Sequence, residues 1–206
     1  RMQEPSVAVI LVEPSHPGNI GATARAMKNM GLSDLRLVRP ARFPDAEATA
    51  RASGADDILH RAGVYADLDE ALAGVQWVAG TTARDRAISY PVQTPAEAAS
   101  GLVARAEDGR PSAILFGRER SGLSNEELDR CDRLVRIPTA AYSSLNLAQA
   151  VQILAYEVFM AADAARRAAS DEAEAAVAGG EVMEGLFQHF ERPGEGQAVC
   201  RKDSVE

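Results

Sequence analysis

Three short segments carry the residues best suited to chemistry, and two of them follow directly on apolar runs typical of buried strands. They are residues 19–31, which contain Arg25, residues 117–122, which form a glycine-bounded turn, and residues 142–146, which precede a long apolar helix. Because open α/β sheets bind their ligands at the carboxyl ends of the strands, we expect these segments to meet at that edge.

The first segment places two cations on one helical face. Arg25 and Lys28 are three residues apart, opposite the apolar side formed by Ile20, Ala24 and Met27. An arginine suits bidentate phosphate recognition better than a lysine does. On spacing alone, a ligand contact near the strand ends and a solvated basic face both stay open.

The second segment is a turn whose glycines let the backbone approach a ligand closely. It is neither a P-loop, since no Gly-Lys-Ser/Thr follows, nor a GxGxxG dinucleotide fingerprint. Glu119 lies between Arg118 and Arg120. The alternative to a role at a ligand is an ion pair with one of these arginines that holds the loop.

The third segment offers hydroxyl and amide groups at the start of a helix. Ser143, Ser144 and Asn146 suit a ligand loop that presents backbone N–H and hydroxyl donors, and they suit simple helix caps equally well. Thr81 and Thr82 end the third strand and are placed to line the same pocket.

Alternating strand and helix patterns must position these segments. The predicted strands are residues 7–12, 35–38, 75–80, 113–116 and 134–137. The predicted helices are residues 20–30, 46–52, 67–73 and 95–106, a short helix opened by a capping box at 124–127, and a long helix after residue 146. Asn19 is expected to cap the first helix and Gly31 to end it. This order predicts an α/β fold with a mostly parallel sheet and helices on both faces.

The last long helix carries one apolar stripe, and a helix this apolar also suits a contact with a partner subunit. The stripe consists of Leu147, Val151, Leu154, Val158, Ala161 and Ala165. We expect a first domain of residues 1–167 and a linker at 168–180, which is rich in Ala, Glu and Gly. Residues 181–206 are expected to form a short helix at 181–191 and a disordered tail at 193–206.

Composition narrows the class of protein. The 206 residues carry a net charge of −8, which disfavours a nucleic-acid partner. Residues 157–206 account for −6 of this charge, so residues 1–156 are nearly neutral. A nearly neutral region can still carry a local basic face. We find no membrane-length apolar run and no signal-peptide pattern, so we expect a cytoplasmic protein without a membrane partner. The two cysteines and three histidines are scattered, so no metal site is expected.

Together, the three motifs resemble those of the SpoU/TrmH branch of the SPOUT methyltransferases. The motifs are Asn19-Ile-Gly-Ala-Thr-Ala-Arg25, Phe116-Gly-Arg-Glu-Arg-Ser-Gly-Leu123 and Ser143-Ser-Leu-Asn-Leu-Ala148. Their surroundings are most similar to the TrmJ type, and the resemblance covers roughly residues 5–165, with a fainter match at 183–191. Three motifs in the same order and spacing are far more specific than any one of them.

The resemblance implies a fold and an activity. Members of the branch contain a C-terminal trefoil knot, act as homodimers with the site near the subunit interface, and use S-adenosylmethionine to methylate the 2′-hydroxyl of RNA ribose. TrmJ-type enzymes act on tRNA at the anticodon-loop nucleotide numbered 32. Two alternatives stay open: an rRNA 2′-O-methyltransferase of the same branch, and a catalytically silent knotted protein that binds RNA. The missing GxGxxG disfavours a nucleotide-dependent oxidoreductase.

Carried over by position, the resemblance also implies site residues. The implied cofactor pocket consists of Thr81, Thr82, Ala83, Gly117, Ile137, Ser143, Ser144 and Leu145. Asn19 and Glu119 match positions that shape the site, and Ser144 is expected close to both cofactor and substrate.

Arg25 matches the catalytic arginine of the branch. A guanidinium is an implausible base near neutral pH, so we expect Arg25 to bind the adjacent phosphate and to stabilise developing oxyanion charge.

Residues 194–206 do not resemble the basic helical extension of TrmJ-type enzymes, which leaves RNA affinity and target choice open.

Overall fold

The structure is a computed structural model that describes residues 6–83 and 91–190, with side chains described up to residue 177 in the last helix. The strands in these ranges are β1 (Val7–Val12), β2 (Leu35–Val38), β3 (Gly63–Tyr65), β4 (Trp77–Thr81), β5 (Val92–Gln93), β6 (Ser112–Phe116) and β7 (Arg133–Val135). The helices are α1 (Pro17–Asn29), α2 (Ala46–Ala52), α3 (Asp56–Arg61), α4 (Leu68–Ala71), α5 (Pro95–Glu107), α6 (Asn125–Leu128) and α7 (Leu147–Phe190).

The described strands form one seven-stranded sheet in the order β3-β2-β1-β6-β4-β7-β5. Every paired neighbour is parallel, so the carboxyl ends of all seven strands lie at the same edge. The predicted α/β fold with a parallel sheet is confirmed. The trefoil knot that the resemblance implies stays a prediction.

The centre of the sheet is buried on both faces. All six residues of β1 and all five of β6 are buried, which requires helices above and below the sheet. On one face, Ile10, Leu115 and Leu134 form a cluster with Ala71 of α4 and Leu128 of α6. Apolar burial of this kind fixes the strands whose ends carry the predicted site.

The start of α1 differs from the prediction. The helix begins at Pro17, with His16 at the N-cap position, so Asn19 is the third helical residue and the prediction that it caps α1 is wrong. A proline fits the first helical position because its missing N–H would have no helical partner there. At the other end, Gly31 follows the helix at φ +71°, the left-handed conformation expected of a terminating glycine.

The end of the chain also differs from the prediction. Residues 168–180, expected as a linker, are helical, and α7 continues to Phe190. Alanine has the highest helix propensity, which outweighs the cost of two glycines in this segment. The chain divides into two compact units, Arg1–Ala164 and Ala165–Glu206. The predicted disordered tail at 193–206 lies outside the described residues.

Four members of the predicted apolar stripe on α7, Leu147, Val151, Leu154 and Val158, are buried. The described ranges 6–83 and 91–190 contain no helix with both the length and the apolar content needed to cross a bilayer.

The contact between α1 and α2 depends on Gly21. A Cβ at this position would lie 2.0 Å from the backbone oxygen of Ala48, which cannot move without shifting α2. We expect Gly21→Ala to lower the free energy of unfolding by about 1–3 kcal/mol, measured by urea denaturation.

The matched control is Gly18→Ala on the same helix. Its Cβ would meet only flexible side chains, the carboxylate of Glu47 at 2.8 Å and Cγ of Arg51 at 3.6 Å. This variant is expected to be neutral, or more stable by up to about 1 kcal/mol through helix propensity. Equal losses in both variants would contradict the close approach of α1 and α2 at Gly21.

Candidate active site

A cavity of about 320 Å³ lies at the carboxyl ends of β4, β6 and β7. All eight residues that the sequence predicts for a cofactor pocket are on its wall, namely Thr81, Thr82, Ala83, Gly117, Ile137, Ser143, Ser144 and Leu145. Apolar side chains of Phe116, Leu123 and Val135 complete much of the wall. The structure therefore brings the loops after three different strands to one place, while their roles toward a ligand stay predictions.

The loop after β6 is a tight turn that only glycine at position 117 permits. A Cβ on Gly117 would lie 2.2 Å from the carbonyl carbon of Gly122 and 2.3 Å from the backbone nitrogen of Leu123. Arg118 and Gly122 pair through their backbones, at 3.3 Å and 2.9 Å, and Gly122 has φ +69°. The turn is thus closed by backbone hydrogen bonds between its own residues.

Arg118 anchors this turn through a cluster of four charges. Its Nη1 and Nη2 each donate to a carboxylate oxygen of Glu127 at 3.0 Å, and its Nε donates to Glu13. Arg39 donates from Nε to the other oxygen of Glu13 at 2.8 Å. Two acids and two bases therefore hold together the loops after β1, β2 and β6 and the start of α6.

The pKa values in this cluster follow from the ion pairs. The hydrogen bond from Arg118 lowers the pKa of Glu13, and burial opposes that effect only in part. Burial raises the pKa of Glu127, but hydrogen bonds from Arg118 and the backbone of Ser124 outweigh it, so the net shift is downward. Both carboxylates are thus ionised near neutral pH.

The suggested pairing of Glu119 with a neighbouring arginine is wrong, because Arg118 pairs with Glu13 and Glu127 instead.

Glu119 instead caps the start of α1. Its carboxylate accepts from the backbone N–H of Ser15 at 3.1 Å, from that of His16 at 3.2 Å, from Ser15 Oγ at 3.0 Å and from Asn19 Nδ2 at 3.2 Å. A negative charge is favourable there because the first N–H groups of a helix lack helical partners and carry positive partial charge. Burial raises the pKa of Glu119, but these hydrogen bonds outweigh burial and hold the pKa below its ordinary value.

Two asparagines extend this contact to α7. Asn19 Oδ1 accepts from Asn146 Nδ2 at 2.9 Å, while Asn146 Oδ1 accepts from the backbone N–H of Ala148 at 2.9 Å. Gln149 reaches back to the N–H of Asn146 at 3.3 Å, so Asn146 is the residue that caps α7. Ser143 and Ser144 lie on the cavity wall. The three motifs are thus linked by one chain of hydrogen bonds, from Glu119 through Asn19 to Asn146.

The two cations of α1 have different surroundings. Lys28 Nζ donates to Asp57 at 2.8 Å and to the backbone oxygen of Gly54 at 2.9 Å, so Lys28 has a structural role. Arg25 is exposed and makes no hydrogen bond or ion pair with the residues in 6–83 and 91–177. Neither Arg25 nor Asn19 is on the cavity wall, whereas Glu119 and Ser144 are.

Sequence reasoning missed the cluster around Arg118. Glu13 and Arg39 end neighbouring strands in the left-handed region, at φ +47° and φ +44°, a conformation that neither residue type suggests. The available signal was the capping box at 124–127, which the structure confirms and which places Glu127 near the turn. In the described part of the chain, no group of three or more His, Cys, Asp or Glu side chains is arranged to hold a metal ion.

The chain matches the family model described as the SpoU rRNA methylase family over residues 6–156. It is 47% identical over 199 residues to a tRNA (cytidine/uridine-2′-O-)-methyltransferase TrmJ from Sodalis glossinidius, across 96% of this chain and 78% of that relative. These matches span the whole cavity-forming region.

Two solved structures extend the comparison. The crystal structure of TrmJ from Z. mobilis ZM4 has a TM-score of 0.69 and 43% identity, over 75% of this chain and 69% of that one. An AdoMet-bound rRNA methyltransferase from Sinorhizobium meliloti has a TM-score of 0.58 and 26% identity, over 76% of this chain and 56% of that one.

The Glu119 carboxylate gives a testable pH dependence. Near neutral pH, we expect Glu119→Gln to lower the free energy of unfolding by about 1–2 kcal/mol, the usual value of a charged helix cap. Because the pKa of folded Glu119 is lowered, its stabilisation is complete above the ordinary pKa of about 4.3 and is lost as pH falls through the folded value. Urea denaturation from neutral pH downward should therefore show the difference between wild type and variant closing.

The control for this prediction is Glu172→Gln, which removes an exposed carboxylate in the interior of α7, away from either end of the helix. We expect it to match the wild type at each pH. A deficit in Glu119→Gln that stays constant from neutral pH to below the pKa of glutamate would show that the charge of Glu119 does not stabilise α1.

Proposed function

Since this chain belongs to the SpoU rRNA methylase family, we propose that it transfers a methyl group from S-adenosylmethionine to the 2′-hydroxyl of a ribose in tRNA. The name of the Sodalis glossinidius relative gives cytidine and uridine as the nucleosides on which that protein acts. We propose the same two nucleosides for this chain, at position 32 of the anticodon loop.

One observation carries the proposal: the eight residues expected to hold the cofactor line a single cavity at the carboxyl edge of the sheet. They come from loops that follow three different strands, so their convergence is not a consequence of being neighbours in sequence. Parallel α/β sheets bind ligands at this edge.

The cavity fits S-adenosylmethionine in size and in chemistry. Its volume of about 320 Å³ lies within the range of small-molecule pockets. The apolar side chains of Val135 and Ile137 suit the adenine ring, and the hydroxyl groups and backbone of Thr82, Ser143 and Ser144 suit the ribose and the polar tail. When bound, S-adenosylmethionine supplies a methyl group activated by a positively charged sulfur.

The residues of this chain then position the RNA and stabilise charge. Arg25 binds a phosphate next to the target ribose and stabilises the negative charge that develops on the 2′-oxygen, because a guanidinium carries only hydrogen-bond donors. Its position outside the cavity wall suits a contact with RNA rather than with the cofactor. Ser144, on the wall, lies close to both reactants, and alignment of the two supplies much of the acceleration.

Glu119 and Asn19 act as positioning residues in this proposal. Through them, the start of the helix that carries Arg25 is tied to the loop that forms one wall of the cavity. The distance between the phosphate contact and the methyl donor is thereby held by hydrogen bonds within the protein.

We also propose that the protein acts as a homodimer through α7. Three large apolar side chains on one face of this helix are exposed, Tyr156 at 46%, Phe159 at 39% and Met160 at 44%. They follow the i, i+3, i+4 spacing of a single face and add to the buried stripe, so α7 has apolar surface beyond what the core covers. A second copy of the chain is the proposed partner.

The function is tested by incubating the protein with S-adenosylmethionine and RNA that lacks native methylation, followed by mapping of alkali-resistant ribose positions. The proposal expects a new 2′-O-methyl group in the tRNA anticodon loop. Methylation of rRNA alone, the substrate named in the family description, would support ribose methylation as the reaction and contradict tRNA as the substrate. RNA binding without any methylation would favour the silent RNA-binding alternative.

The role of Arg25 is tested with Arg25→Lys. Because loss of a bidentate charge-assisted contact costs about 1.5–3 kcal/mol, we expect kcat/KM for tRNA to fall roughly tenfold to hundredfold, with unchanged affinity for S-adenosylmethionine by calorimetry. Lys28→Gln is the control on the same helix, since Lys28 pairs with Asp57, and its turnover should be near that of the wild type. Normal turnover of Arg25→Lys would contradict the bidentate role.

The homodimer is tested with Phe159→Glu, which places a charge in the proposed interface. We expect the variant to sediment as a monomer at concentrations at which the wild type is a dimer. Val64→Glu, at an apolar residue exposed to 56% on β3, is the control and should keep the mass of the wild type. A dimeric Phe159→Glu, or a monomeric wild type, would contradict the proposed interface.

A further inference from the structure

We infer that Arg120 binds a phosphate of the RNA backbone at the mouth of the cavity. This inference rests on the proposed function, since it concerns how that site holds its substrate. Arg120 lies within the second motif and on the cavity wall, but it is not among the eight residues expected to hold the cofactor.

Arg120 lies at the tip of a turn whose backbone is fixed. The turn is closed by the two backbone hydrogen bonds between Arg118 and Gly122. On one side of Arg120, Glu119 is bound to the start of α1, and Arg118 is bound to Glu13 and Glu127. The position of the Arg120 backbone is therefore set before any ligand arrives, which lowers the entropy lost on binding.

The described residues place three charged side chains on the cavity wall, and two of them have partners within the protein. The donors of Arg118 are engaged by Glu13, Glu127 and the backbone oxygen of Gly122. The two oxygens of Glu119 are engaged by donors from the start of α1. Arg120 is exposed and makes no hydrogen bond or ion pair with the residues of 6–83 and 91–177. Its guanidinium donors face solvent at the edge of the site.

A phosphate is the anion that best fits this arrangement. A guanidinium binds two phosphate oxygens at once, and such charge-assisted pairs are the stronger hydrogen bonds. The carboxylate of the cofactor is the other anion near the site. Arg120 lines the cavity but is exposed to solvent, so its guanidinium is also open to a polymer that covers the cavity, and we infer the phosphate as its partner. With a net charge of −8 on the chain, local cations of this kind are needed to offset repulsion of RNA.

The test compares Arg120→Gln with Arg110→Gln in the full chain. Arg110 is an exposed arginine before β6, at the opposite edge of the sheet, and its partner is Asp108. Both variants lose one positive charge, so a general effect of net charge is matched. The measurements are the dissociation constant for an unmodified tRNA transcript over a series of salt concentrations, the affinity for S-adenosylmethionine, and kcat and KM for methylation.

For Arg120→Gln we expect tRNA binding about tenfold weaker at low salt, with the slope of log K against log salt reduced by about 0.7–0.9, which is one phosphate contact. KM for tRNA should rise by a similar factor, while kcat and the affinity for S-adenosylmethionine stay near those of the wild type. Arg120→Lys should recover part of the affinity and the salt slope. Arg110→Gln should match the wild type.

Arg118→Lys provides a contrasting variant on the same turn. A lysine lacks the guanidinium nitrogens with which Arg118 binds both Glu127 and Glu13. We therefore expect weaker binding of S-adenosylmethionine and a lower free energy of unfolding, with an unchanged salt slope for tRNA binding.

An unchanged salt slope in Arg120→Gln would overturn the inference, and so would equal losses in Arg120→Gln and Arg110→Gln. A loss of S-adenosylmethionine affinity in Arg120→Gln with normal tRNA binding would overturn it in favour of the cofactor carboxylate. Failure of the wild type to methylate any RNA would instead contradict the proposed function, and the salt slope would still decide whether Arg120 contacts a phosphate.

Discussion

Glu119 places a carboxylate at the start of α1, where it accepts hydrogen bonds from two backbone N–H groups and two side chains. The loop that carries it forms one wall of the cavity. Asn19 also accepts a hydrogen bond from Asn146, which caps α7. This one carboxylate therefore relates the helix of Arg25, the cavity wall and the start of α7 to one another.

A carboxylate at this place is favourable because its charge is neutralised by donors that would otherwise lack partners. The first N–H groups of a helix have no helical acceptors, and they supply the positive partial charge that a partly buried anion needs. In the cluster of Arg118, Glu13, Glu127 and Arg39, the side chains neutralise one another's charges in the same way. Such polar networks contribute less to net stability than apolar packing does, but they restrict the loops to one arrangement.

Much of the fold was predictable from the sequence because its elements have strong local signals. The apolar run of β1 and the capping box before α6 are both where the sequence predicts them. Strands of two or three residues, such as β3 and β5, have no detectable period, and the alanine-rich end of α7 has the composition of both a linker and a helix. The cavity wall follows from the motif resemblance. The contact of Arg118 with Glu13, which are 105 positions apart, does not, because it depends on strand order.

A crystal structure with S-adenosylhomocysteine, the product form of the cofactor, tests most directly whether the cavity holds the methyl donor. We expect the adenosyl group against Thr82, Ile137 and Leu145, with the turn at Gly117 alongside it and with Glu119 still bound at the start of α1. A ligand ordered elsewhere on the protein, or a cavity that stays free of ligand at saturating concentration, would contradict it.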